Sequence, residues 1–267
     1  MTDPGYAILH YLPKYRGELV FHEKPTIINS DSTANEAMLV WLKHLKTRYE
    51  EKNCDNRFML LENFTNGYKA VNILDIKIGG RSEKKHKITE AVRLYKLKLN
   101  GMRKNNHKTT DFFRSKYVLN DIVEKEEILK SLAFFFHTGS GVDPSLLAAM
   151  VSKLKGFVMA LRSLPDWKFV SSSVVFLYDF EDVSRCDLKF IDFGRARRTG
   201  KEEFDDETCE GVENMIRFLM EIGERAKEFE SVEAPPCDAE GVIPEKKLAK
   251  FSKNSEKVEK LEKSDKD

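Results

Sequence analysis

The chain has 267 residues, 41% of them hydrophobic and 33% charged, enough for one two-lobed domain with a sizeable core. Its formal net charge of +1 excludes a global attraction to nucleic acid or membrane. An anion must therefore be met by a local concentration of Lys and Arg. In chain order, Ala7-Ile8-Leu9-His10-Tyr11-Leu12 reads as the end of a helix, Pro13 to Gly17 as a turn and 18–21 as a strand. Ser32-Thr33 followed by Glu36 offers a helix start. Met38, Leu39, Trp41, Leu42, Leu45 and Tyr49 then recur at helical spacing to about residue 51, an amphipathic helix whose Trp is read as packing. Phe58-Met59-Leu60-Leu61 is a buried strand that leads to Glu62-Asn63-Phe64 and a turn at Asn66-Gly67.

The next run, Asn72-Ile73-Leu74-Asp75-Ile76-Lys77-Ile78-Gly79-Gly80, sets two charges among apolar residues. In a strand of period two, Asp75 and Lys77 point to one face, while Ile73, Leu74, Ile76 and Ile78 supply apolar packing. Alone, this is equally an exposed edge strand carrying an ion pair of little worth. A second acid of the same kind, Asp192 in Leu188-Lys189-Phe190-Ile191-Asp192-Phe193-Gly194, points instead to a metal and nucleotide site. Burying a carboxylate is costly unless a cation pairs with it.

After Gly80 comes the most basic stretch: Arg81, Lys84, Lys85, His86, Lys87, Arg93, Lys96, Lys98, Arg103 and Lys104. On a helix beginning near Ser82, Lys84 and Lys87 share a face with Ala91, while Ile88 and Val92 turn to the core. A polyphosphate would fit that basic face; the plainer reading is a solvated surface. Residues 124–137 and 144–164 read as two long helices separated by Gly139-Ser140-Gly141, with Phe134, Phe135, Phe136 and His137 in the core. Residues 168–179 read as one strand in which serines interrupt apolar residues; Ser173 either bonds near the metal site or is satisfied by local backbone. Residues 190–194 are expected to pair back on it as an antiparallel hairpin. An amphipathic helix from Gly211 to about residue 227 turns Val212, Met215, Ile216, Leu219 and Ile222 inward, and from residue 231 a charged tail is expected to be mostly disordered. The cysteines Cys54, Cys186, Cys209 and Cys237 lack zinc or disulfide spacing. No unbroken apolar run of bilayer-spanning length is read, and Met1-Thr2-Asp3-Pro4 does not resemble a signal peptide, so the expected location is cytosol or nucleus.

Asp75-Ile76-Lys77-Ile78-Gly79, Ser172-Ser173 and Ile191-Asp192-Phe193, in that order, resemble the inositol polyphosphate kinase family, whose signature is P-x-x-x-D-x-K-x-G with later S-S-L-L and I-D-F blocks. Leu61-Glu62-Asn63, Ser82-Glu83-Lys84, Gly101-Met102-Arg103, Phe135-Phe136-His137 and Gly211 also resemble the family's multikinases, over roughly residues 7 to 225. Val71 stands where the family has Pro, Val174-Val175 where it has Leu-Leu, and Arg195 where multikinases carry His. The Asp-Phe-Gly triplet is shared with protein kinases, but this chain has no H-R-D-x-x-x-x-N loop and no P-loop.

The resemblance implies an α+β, two-lobed inositol polyphosphate kinase-like fold. Residues 1–65 would be an N-lobe with a truncated antiparallel sheet and an inserted helix. Residues 66–230 would be a C-lobe with a larger sheet and helices, and 231–267 the tail. It also implies transfer of the γ-phosphate of ATP, with Mg2+, to a soluble inositol polyphosphate. Asp75 and Lys77 would be catalytic, Asp192 the metal ligand, and the Glu62 carbonyl and Phe64 amide the holders of adenine. Lys84, Lys87, Arg103 and Arg195 would bind substrate phosphates. In the family, the turn resembling Pro13-Lys14-Tyr15-Arg16-Gly17 follows a glycine-containing hairpin and a strand whose lysine reaches the ATP phosphates. The chain is expected to begin after both: as a truncated isoform or gene model, with another residue substituting, or with weak ATP binding. The alternative function is therefore an inositol-phosphate-binding pseudokinase. A monomer without membrane insertion is expected, and no nucleic-acid partner, since no aromatic residues interleave the basic stretch.

Overall fold

The computed structural model describes residues 4–20, 26–28, 57–80, 89–105, 110–114, 122–200 and 203–234. The helix expected at 33–51, the start of the helix expected near Ser82, and the tail beyond residue 234 lie outside the described residues. A 3-10 segment, Pro4–Tyr11, precedes strand β1 (Tyr15–Val20), which pairs antiparallel with β2 (Thr26–Ile28) and with β3 (Arg57–Leu61). Then come β4 (Val71–Ile78), helix α1 (Glu90–Tyr95), β5 (Leu97–Asn105), β6 (Thr110–Arg114), helices α2 (Lys125–Phe136) and α3 (Pro144–Arg162), and β7 (Trp167–Lys168). They are followed by β8 (Ser173–Asp179), β9 (Cys186–Ile191), a 3-10 turn Phe193–Arg195, β10 (Arg197–Arg198), α4 (Asp206–Glu224) and a 3-10 turn Ala226–Phe229. The class is α+β, as the resemblance implies. A five-stranded antiparallel sheet runs in the order β6-β5-β4-β8-β9, beside the three-stranded sheet β2-β1-β3.

The alternation along β4 decides which side of the large sheet becomes core. Leu74, Ile76 and Ile78 are buried in the main core, where Ile76 and Ile78, with Val174 and Phe176 of β8, meet Leu154 of α3 and Val212 and Met215 of α4. Ile73 supplies its apolar packing on the opposite side of the sheet. It shares the other face with Asp75 and Lys77, where it joins Val71, Val175 and Leu177 in a separate small cluster. Helix α3 starts where Asp143 Oδ1 accepts from the Leu146 amide at 2.8 Å, with Pro144 in the first turn. It is long and apolar enough to cross a bilayer, with a mean hydropathy of 1.3, a possibility the sequence reading excluded. Its Leu146, Met150, Leu154, Phe157 and Leu161 are buried within the core.

Other details also depart from expectation. The strand expected over 168–179 is broken into β7 and β8 by Ser171, whose φ is 60°. In α1 it is Ala91 that is buried and Val92 only half-buried, so the face assigned to the basic side is the core side. Phe134 and His137 are half-buried, with His137 Nε2 3.1 Å from the Glu230 carbonyl. In α4, Phe218 is buried while Ile216 is only half-buried, and the helix begins five residues before Gly211, taking Asp206 and Glu207 into its first turn, where the helix dipole favours acids.

Lys104 is a further departure: it belongs to the core, not to the basic surface. Only 4% exposed, its ammonium donates to the carbonyls of Phe135 at 2.7 Å and His137 at 2.6 Å, and to the Tyr178 hydroxyl. These carbonyls lie at the end of α2, the negative pole of that helix. Burial pushes the pKa of Lys104 down to about 7. The unfolded lysine titrates near about 10.4, so between these values the unfolded chain binds the extra proton and stability rises with pH. Urea midpoints of the wild type are expected to increase from pH 7.5 to pH 9.5 relative to Lys104→Met, which lacks this contribution; parallel profiles would show that Lys104 keeps its proton.

The sheet and α4 touch at backbone level. Gly79, at φ 86°, donates its amide to the Lys96 carbonyl at 2.7 Å. A Cβ on Gly211 would overlap that same carbonyl and stand 3.2 Å from the Gly79 nitrogen. Gly211→Ala is expected to cost about 2–3 kcal/mol through forced separation of α4 from the sheet, measured as a lower urea midpoint with an unchanged slope.

Candidate active site

Register brings the polar residues together. Antiparallel pairing sets Asp75 opposite Gly101 of β5 and Val175 of β8, and Lys77 opposite Lys98 and Ser173. Ser173 pairs in turn with Ile191, the residue before Asp192. Asp75, Lys77, Ser173 and Asp192 thus gather at one end of one sheet face. Lys77 Nζ lies 3.6 Å from Asp192 Oδ2, with 34% of the Lys77 side chain and 55% of the Asp192 side chain exposed. It also donates to the Ser171 carbonyl at 3.3 Å. Asp192 adopts the left-handed conformation, φ 63° and ψ 34°, which Asp tolerates better than most residues.

Asp75 is half-buried. Its Oδ2 accepts from Asn100 Nδ2 at 2.5 Å, while its Oδ1 is buried without a hydrogen-bond partner among the described residues, as is Ser173 Oγ. Burial pushes its pKa up; Asn100, the neighbouring Ser173 hydroxyl and Lys77 act against this, and the negative charge of Asp192 adds to it. Asn100 owes its place to a bulge. The β4–β5 register shifts between Asp75 and Ile76, so β5 carries one extra residue, Asn100, between Leu99 and Gly101. The sequence reading missed Asn100, although Asn-Gly inside a strand pattern is a bulge signal.

The same face is apolar at its other end. Phe64, Tyr68 and Ile73 pack there around Val71 and Leu177, the cluster reaching through Val175 to Ile191 beside Ser173, and from Ile73 to Lys77 the strand rises about 13 Å. Phe64 therefore sits beside this apolar end. Glu62 closes β3, its amide donating to the Lys14 carbonyl at 2.9 Å. Asn63 Oδ1 accepts from the amide and hydroxyl of Thr65 at 3.1 and 2.7 Å, fixing the turn. The link into β4 is tied down by Asp179, whose carboxylate accepts from the amides of Lys69, Ala70 and Glu181. Burial alone would raise its pKa, but these amides outweigh it and hold the value below the ordinary range.

Among the basic residues, Arg103 stands opposite Ile73 on the face that carries Asp75. Arg195 is exposed on the 3-10 turn immediately after Asp192. Lys84 and Lys87 lie outside the described residues. No group of three or more His, Cys, Asp or Glu that could hold a metal occurs among the described residues. A cation held through Asp192 would thus need ligand phosphates to complete its shell, the usual manner for Mg2+. Asn100→Ala is expected to raise the Asp75 pKa further, read from the carboxyl carbon in a 13C NMR titration; an unchanged value would mean that the bond is not made in solution.

Comparison with known proteins gives the family and the fold. The profile of the family described as inositol polyphosphate kinase matches residues 58–220, more than half of the chain. Inositol hexakisphosphate kinase 3 of Mus musculus is 26% identical over 220 residues, covering 68% of this chain and 55% of that protein. The Homo sapiens protein of the same name is 25% identical over 230 residues with the same coverage. The chain therefore spans about half the length of the curated relatives it matches. Among solved structures, inositol phosphate multikinase Ipk2 of S. cerevisiae, in complex with ADP and Mn2+, shares the fold. Its TM-score is 0.58 at 16% identity, over 80% of this chain and 90% of that one.

Proposed function

The chain belongs to the inositol polyphosphate kinase family, and from that premise we propose that it is an ATP-dependent kinase that transfers the γ-phosphate to a hydroxyl of a soluble inositol polyphosphate. The observation that carries this reading is the meeting of Asp75, Lys77 and Asp192 at one end of a sheet face whose other end is apolar. A nucleotide has the same division: a flat base at one end and phosphates at the other. The base would rest beside Phe64 and Ile73, held by the Glu62 carbonyl and the Phe64 amide, with the phosphates towards Lys77 and Asp192.

Phosphoryl transfer asks for in-line positioning and neutralised oxygen charge more than for covalent chemistry. The Asp75 carboxylate would take the proton of the acceptor hydroxyl, with Asn100 fixing its orientation through Oδ2. Lys77 would turn its ammonium to the oxygens of the moving phosphoryl group. Mg2+, which Asp192 would hold together with nucleotide phosphates, supplies further charge neutralisation when bound; the complex of Ipk2 with ADP and Mn2+ supports a nucleotide and a divalent ion in this fold. Arg103 and Arg195, with Lys84 and Lys87, would bind phosphates of the acceptor.

Incubation with radiolabelled ATP and a panel of inositol phosphates, with products separated by charge, is expected to give a labelled polyphosphate. Asp75→Asn is expected to lower turnover by at least about 100-fold with nucleotide affinity kept and the melting temperature equal or higher, since a partly buried charge is removed. No labelled product, with thermal stabilisation by inositol hexakisphosphate but not by Mg-ATP, would replace the kinase with a binding protein.

A further inference from the structure

Behind the Asp192 turn lies a cavity of about 350 Å3, within the size range of small-molecule sites. Four rings pack in series along one side, Phe190 fully buried behind the others. Trp167 stacks on Phe169 at 6.3 Å, Phe169 meets Phe190 edge-on at 5.1 Å, and Phe190 lies 6.2 Å from Phe193. Leu164 and the segment Pro4–Tyr11 close the other side. The lining is apolar except for Arg198, whose guanidinium sits over the Trp167 ring at 5.4 Å. Its side chain is 71% exposed, and the approach of its Nε to Asp166 Oδ2, 3.9 Å, is too long for a hydrogen bond. Arg195 and Arg197 are exposed on the same segment.

We propose that this cavity binds a small aromatic carboxylate, its ring against the aromatic wall and its carboxylate on Arg198, and that occupancy is felt at Asp192. The wall favours a flat ring, since aromatic pairs gain from offset and edge-on contact. Arg198 selects an anion through the planar fork it presents to a carboxylate. The wall ends at Phe193, the residue after Asp192, so a ligand that fixes this ring also fixes the turn that carries the acid. This coupling rests on the reading of Asp192 as a cation ligand; binding to the cavity does not.

Calorimetric titration with 2-naphthoate is expected to show one site per chain. Arg198→Gln is expected to weaken naphthoate about tenfold and to leave the neutral 2-naphthalenemethanol unchanged, whereas Leu164→Trp, which fills the cavity, abolishes binding of both. Should Leu164→Trp fail to fold, Ala196→Phe fills the same space from another lining position. No binding to the wild type, or binding that survives the filling substitutions, overturns the site. A shift of the Mg-ATP dissociation constant by at least about threefold on saturation with naphthoate supports the coupling; an unchanged constant overturns the coupling alone.

Discussion

A carboxylate drawn half out of water on a central strand must be compensated, and the surroundings of Asp75 follow from that demand. Burial favours its neutral form, Asn100 and Lys77 favour its charge, and Asp192 opposes that charge. The balance is set by strand register: a bulge in β5 delivers Asn100, and direct pairing with β8 delivers Ser173 beside Lys77. Were β4 displaced by one residue, Asp75 and Lys77 would enter the core and Leu74 and Ile76 would leave it. The apolar packing of Leu74, Ile76 and Ile78 is thus what aims the charges, and fold and site depend on a single register.

That register is defended at both ends of β4. At its start, Asp179 gathers the amides of Lys69 and Ala70, and Arg185 donates to the Gly67 carbonyl at 2.5 Å while lying over the Tyr68 ring. At its end, Gly79 and Gly211 let the Lys96 carbonyl approach two backbones at once. None of these contacts touches the charged cluster, yet each limits how far β4 can slide. Lys104 does the same for β5: its ammonium anchors the strand to the last carbonyls of α2 at the cost of dehydrating a charge.

Much of this was legible in the sequence, for reasons particular to each element. The alternation around Asp75 and Lys77 is a period-two signal strong enough to fix a face, and the hairpin of β8 with β9 follows from two apolar runs joined by a short polar loop. Helices α2 and α3 were read to within two residues, because their apolar stripes repeat at helical spacing and Asp143-Pro144 marks a start. Lys104 was misplaced because a lysine in a basic run reads as surface, and only the tertiary fold brings helix carbonyls within reach of its ammonium. Ile73 supplies apolar packing apart from Leu74 and Ile76, because this sheet has a second apolar patch around Val71, Val175 and Leu177. The break at Ser171 was invisible, since a left-handed residue other than glycine leaves no pattern.

Among the described residues other than glycine, Lys96, Asp166, Ser171 and Asp192 are left-handed, and the last two contact Lys77 at this site. Asp166, Ser171 and Asp192 have φ values of 71°, 60° and 63°, a conformation that costs a residue other than glycine about 1 kcal/mol or more. Each is pinned through its own carbonyl: Asp166 by the Thr199 amide at 2.7 Å, Ser171 by Lys77 Nζ at 3.3 Å and Asp192 by Ser172 Oγ at 3.3 Å. Lys77 therefore has two tasks. It pairs with the Asp192 carboxylate and, through the Ser171 carbonyl, holds the chain reversal that leads into β8. A ligand that draws Lys77 towards itself must loosen both contacts together, so a change of charge at this site reaches the backbone of the strand beside it.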